Sequence, residues 1–155
     1  MTLARSGTRE GQWFAVPLDD GSFAIGLVAR DGRAGVLVGY FFGPARSSVP
    51  GLEQTRDLEP GGAVLVGKFG HLGLRDGSWP VIGTDAAFDR AAWPMPRFVR
   101  REELTGRTLE VSYDEDDPSR LLEQTPLPPG DARPGPDDGL MGVGYVQGRL
   151  SQLLV

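Results

Sequence analysis

Glycine and proline interrupt this chain so often that a bundle of long helices cannot be drawn through it. Together they fill 36 of 155 positions (23 Gly and 13 Pro), a density that suits many short elements joined by tight turns. Between the interruptions the apolar residues fall at period two. Phe14, Val16 and Leu18 share one strand face, and Asp19, Asp20 and Gly21 supply a hairpin turn. Phe23, Ile25 and Leu27 share a face of the return strand. Asp31 and Gly32 mark a second turn, after which Val36, Val38, Tyr40 and Phe42 continue the alternation. Residues 12–42 therefore predict a three-stranded antiparallel meander.

Further along, residues 43–62 read as a long connection with at most one helical turn. Residues 63–69 and 78–83 read as strands, with Pro80 assigning the second to an edge or a bulge. Asp85 is placed to cap a short helical turn over residues 86–92, and Trp93, Pro94, Met95 and Pro96 then force an extended path. Residues 97–102 and 107–113 predict a strand pair around Gly106, the second with Leu109, Val111 and Tyr113 on its dry face. Residues 114–139 open with an acidic run and continue through Pro126, Pro128, Pro129, Pro134 and Pro136. That spacing predicts an excursion without regular structure over most of its length. Val143, Val146, Leu150, Leu153 and Leu154 stand at helical spacing and predict a C-terminal helix over residues 140–155 that covers the sheet. Residues 1–10 are expected to be a flexible terminus, and the whole chain, 1–155, to form one domain. The fold class expected is mainly β (α+β), a strongly bent antiparallel sheet or partly open barrel with the C-terminal helix packed on it.

The charge balance narrows the function. Sixteen Lys and Arg against 21 Asp and Glu leave a net charge of −5, so the overall field opposes nucleic acid and anionic membranes as partners. With no cysteine there is no thiolate nucleophile, disulfide framework or cysteine zinc site. Neither a signal-peptide pattern nor an apolar run of membrane-spanning length is present, and a cytoplasmic location is expected.

Motifs for catalysis are weak. Gly62, Gly67 and Lys68 match most of a phosphate-loop pattern, but Phe69 stands where a magnesium-binding hydroxyl is required, and residues 63–66 read as strand. His71 is the only histidine, and no partner spacing makes it a triad member or metal ligand. No serine stands in a nucleophile elbow. Asp114, Glu115, Asp116 and Asp117 form the densest charge cluster, readable as a solvated turn or as a contact for a basic partner. Tyr40 and Trp93, each among aromatic neighbours, read as core residues or, if exposed, as interface anchors. Trp13 and Trp79 read first as core.

Three stretches carry a family resemblance. They are the opening from Gly11, Gln12, Trp13 and Phe14 through Pro17, Leu18, Gly21 and Gly26 to Val28; the middle Gly77, Ser78, Trp79, Pro80, Val81, Ile82 and Gly83; and Trp93 to Phe98 leading to Val111, Ser112, Tyr113 and Asp114. Together these resemble the immunity protein 26 family of bacterial polymorphic-toxin systems over most of residues 11–115. The resemblance implies a non-enzymatic protein that neutralises a toxin. It brings no catalytic residues, metal or cofactor with it, and it leaves the toxin-binding surface to be argued from physics. The expected partner is a cognate toxin, with a nuclease as the candidate whose basic cleft would complement Asp114, Glu115, Asp116 and Asp117. Tyr40 and Trp93 are the expected buried anchors. The alternative reading is a small-molecule or peptide-binding β-barrel module. A carboxylate-only enzyme drawing on Asp76, Asp85 and the acidic run is a third, for which no spacing selects a pair.

Overall fold

In the computed structural model, which describes residues 9–32, 34–128, 130 and 135–154, the expected meander is the centre of the architecture. Strands β1 (Gln12–Pro17), β2 (Phe23–Asp31) and β3 (Val36–Arg46) pair antiparallel in succession. Gly21 takes φ +84° in the first turn, a conformation that only glycine adopts without strain. Two 3₁₀ turns, Leu52–Thr55 and Pro60–Gly62, interrupt the connection that follows. The chain continues through β4 (Leu65–Gly70), the single-turn helix α1 (Leu72–Arg75) and β5 (Val81–Thr84). Next come β6 (Phe98–Arg101), β7 (Thr108–Asp114), β8 (Asp117–Pro126) and β9 (Leu140–Met141). Helix α2 (Val143–Leu154) follows.

These strands make two sheets, ordered β5-β1-β2-β3-β4-β9 and β6-β7-β8. The larger is mixed, because β9 runs parallel to β4, and neither sheet closes into a barrel among the described residues. Pro80 precedes β5, an edge strand where a proline is tolerated, and the register of β5 against β1 shifts between Trp13 and Phe14.

Alternation along the central strands builds two cores, one on each face of the larger sheet. Phe14, Val16, Val28, Leu37, Phe41 and Phe69 meet Trp79 and, from α2, Val146 and Leu150. Trp13, Ile25, Leu27, Val38, Tyr40 and Phe42 meet Trp93 and the dry face of the smaller sheet through Phe98, Leu109, Val111 and Tyr113. The layers are therefore helix, large sheet, small sheet. The aromatic rings are close: Phe14 stacks on Trp79 with centroids 5.7 Å apart, and a Cβ on Gly26 would come within 2.4 Å of the Phe14 ring. The Trp79 indole Nε1 is buried in this apolar layer with no hydrogen-bond partner among the described residues.

Three expectations need correction, and one element was not expected. Residues 114–139 are not irregular throughout: β8 pairs with β7 from Asp114↔Asp117 to Leu109↔Pro126. Its prolines, Pro118 and Pro126, stand near its ends on an edge strand, and residues 119–125 contain none. The helix expected from residue 140 begins at Val143, because Leu140 and Met141 pair with β4 first. Helix α1 was not anticipated. The turn over residues 86–92 is a pair of aspartate-capped turns, with Asp85 Oδ1 accepting from Ala87 N and Asp89 Oδ1 from Ala91 N, both at 2.9 Å. The expectation for residues 1–8 and the helical assignment of Val155 lie outside the described residues.

Candidate functional site

The acidic run occupies the tight turn between β7 and β8, where Asp114 Oδ1 accepts from Asp116 N at 2.8 Å. Sequence adjacency sends its carboxylates in different directions. Asp114 pairs with Arg120 of β8 at 3.2 Å, Glu115 with Arg30 of β2 at 2.7 Å, and Asp116 with Arg90 at 2.9 Å. Asp117 Oδ1 accepts from Ser119 N at 3.1 Å. Three arginines thus compensate much of the charge that the sequence concentrates here. Asp116 remains the most accessible carboxylate, with its side chain 83% exposed.

Arg30 organises the surroundings. Its side chain is 1% exposed, and Nη1 donates to Ala29 O at 2.6 Å and Trp93 O at 2.9 Å. Beneath it the Tyr40 hydroxyl donates to Pro94 O, and burial pushes the Tyr40 phenol upward, with the Glu115 charge adding to the effect and that of Arg30 opposing it. Arg90 also holds Glu10 through two contacts, at 2.7 and 2.8 Å, and this pairing raises its already high pKa. The structure therefore brings Tyr40, Trp93, Glu115 and Asp116 into one neighbourhood. Tyr40 and Trp93, at 5% and 8% exposure, are core residues there, and their rings meet edge-on at 5.3 Å. They support the acidic turn from below and present little surface of their own. Sequence reasoning missed Arg30 and Arg90; the signal available was a lone arginine ending the apolar run of β2.

A second polar cluster lies away from the turn. Residues 135–141 form a strap that leaves the smaller sheet for the larger one. Asp138, at the crossing, is reached by Lys68 Nζ at 3.0 Å, Arg100 Nε at 2.7 Å and the Tyr113 hydroxyl at 2.5 Å. Lys68 also sits 3.8 Å from the centre of the Tyr113 ring, within cation–π range. Burial pushes the Asp138 carboxyl upward, but the three donors outweigh it and hold it below the usual carboxylate range. Lys68, the lysine of the partial phosphate-loop motif, is therefore a structural ion-pair partner on a strand. His71 packs against Gly35, where a Cβ would fall 2.8 Å from its ring. No group of three or more metal-ligating side chains occurs among the described residues, and no described helix is long and apolar enough to cross a membrane.

The family model for immunity protein 26 matches residues 9–109, from β1 into β7. No curated protein and no solved structure matches the chain. The matched stretch holds the whole meander, Trp79, Trp93, β6 and the start of β7, and it is well over half of the chain. On that match, this chain belongs to the immunity protein 26 family.

Proposed function

We propose that the protein acts in the cytoplasm as a non-catalytic inhibitor, binding one cognate toxin stoichiometrically and covering its active site. Family membership over residues 9–109 carries this reading. The acidic turn suits a toxin with a basic, nucleic-acid-cleaving cleft, and Asp116 is the carboxylate best placed to meet it. Because Arg30, Arg90 and Arg120 already compensate the turn, its contribution is to the rate of encounter more than to affinity. Tight binding requires buried apolar contacts elsewhere on the surface.

The test is capture with the tagged protein from its producing cells, followed by calorimetry and a growth-protection assay. A single one-to-one partner whose toxicity is abolished, with its active site blocked in the complex, is the expected result. A captured toxin that keeps its activity when saturated would overturn occlusion, and failure to protect against any toxin encoded by those cells would overturn the immunity reading.

A further inference from the structure

A groove of about 1110 Å³ opens beside the first half of β4, and it exists because the strap changes sheets. Val99 N of β6 donates to Pro136 O at 2.9 Å, and Asp138 N donates to Val99 O at 3.0 Å. After this crossing, the strap pairs with β4, at Lys68↔Leu140 and Phe69↔Met141. At residues 65–67, β3 occupies one edge of β4, while no described strand pairs with the other. The gap left there is floored by Val64, Leu65 and Val66 and walled by the strap and by α2. An open strand edge along an apolar groove is a template for an added strand: the backbone supplies hydrogen bonds and the groove takes alternate side chains.

The helix wall gives the occupant its chemistry. Tyr145 and Arg149 lie four residues apart, on one face of α2; both are exposed and both line the groove. Arg149 has one hydrogen-bond partner among the described residues, the Gln152 Oε1 amide oxygen at 3.3 Å. A guanidinium so placed can take a carboxylate through two parallel hydrogen bonds, and Tyr and Arg over an apolar floor are the residue types that dominate interface energetics. Asp137 lines the groove from the strap and disfavours a uniformly acidic segment.

We propose that this groove docks an extended segment of a partner protein, which adds a strand to β4 at residues 65–67 and sets one carboxylate, flanked by apolar side chains, against Arg149. That the partner is the toxin rests on the immunity reading; that the groove takes such a segment does not. The test has two arms. In the first, random displayed peptides are panned on the whole protein, and those recovered are measured by calorimetry on the wild type, Arg149→Glu and Val64→Glu, with hydrogen exchange locating protected amides. Both substituted side chains are exposed, and circular dichroism checks that the variants fold. Expected peptides alternate apolar residues around Asp or Glu, slow exchange at residues 65–67 and lose about tenfold or more in affinity on either variant. Replacing the peptide's carboxylate with Lys should restore binding to Arg149→Glu. Protection on β8 or the acidic turn instead, unchanged affinity in both variants, or a second copy of this chain as occupant would overturn the proposal.

The second arm repeats the affinity measurements with the captured toxin. A loss of about tenfold or more on both variants identifies the groove as the toxin site. Wild-type affinity on both overturns the groove as that site while leaving the immunity reading intact. Failure of the wild type to neutralise any toxin overturns the immunity reading, and the peptide arm still decides the groove.

Discussion

The acidic turn and the Asp138 cluster both join carboxylates to arginines or lysine, yet their surroundings give them opposite roles. At the turn, Asp114 and Asp116 meet arginines that are themselves substantially exposed, so water and salt screen each pair. At the crossing of the strap, the Asp138 side chain is only 7% exposed, and one carboxylate takes three donors from β4, β6 and β7. The first arrangement can be rearranged by a partner at little cost. The second ties the two sheets and the strap together, and removing Asp138 leaves the buried Lys68 ammonium without compensation. Glu115 falls between these extremes, half exposed itself but paired with the fully buried Arg30.

Substitutions along this gradient should separate the two roles. Asp138→Ala should have the largest effect, about 3–5 kcal/mol of stability in urea titration, because it strands Lys68 beside Tyr113. A loss near that of a surface pair would mean that the cluster is not a clasp. The same carboxylate should shape the acid limb. Its folded pKa lies below its unfolded value, so its stabilisation is fully present above the unfolded pKa of about 3.9 and is lost as pH falls through the folded value. Asp138→Asn should therefore flatten the decline in stability below about pH 4, and an unchanged acid limb would remove this assignment.

Glu115→Gln should cost less, about 1–3 kcal/mol, since Arg30 keeps its backbone carbonyl partners. A neutral result would show that those carbonyls suffice. Asp114→Asn and Asp116→Asn should each change stability by about 0–1 kcal/mol. Together they should slow association with a basic-clefted toxin and weaken its salt dependence. Stopped-flow traces indistinguishable from wild type would exclude the turn as an encounter surface.

Strand alternation and turn chemistry made the meander, the strand pair around Gly106 and the C-terminal helix readable from residues 12–42, 97–113 and 143–154, because these are local properties of the chain. The count of prolines across residues 114–139 hid β8, since what matters is where each proline stands relative to an edge, not how many a segment contains. The acidic run was plain in the sequence, but its compensation by Arg30, Arg90 and Arg120 was not, because Arg30 and Arg90 lie far from it along the chain and arrive only through packing. Asp138 and Arg149 carried no motif of their own, and the motif around Lys68 pointed to phosphate rather than to its partner Asp138. The sequence by itself determined the meander, the strand pair around Gly106, their buried faces and the family resemblance; the tertiary structure alone decided which charges are buried together and where a strand edge was left open, because both depend on how distant segments meet at the boundary between two sheets.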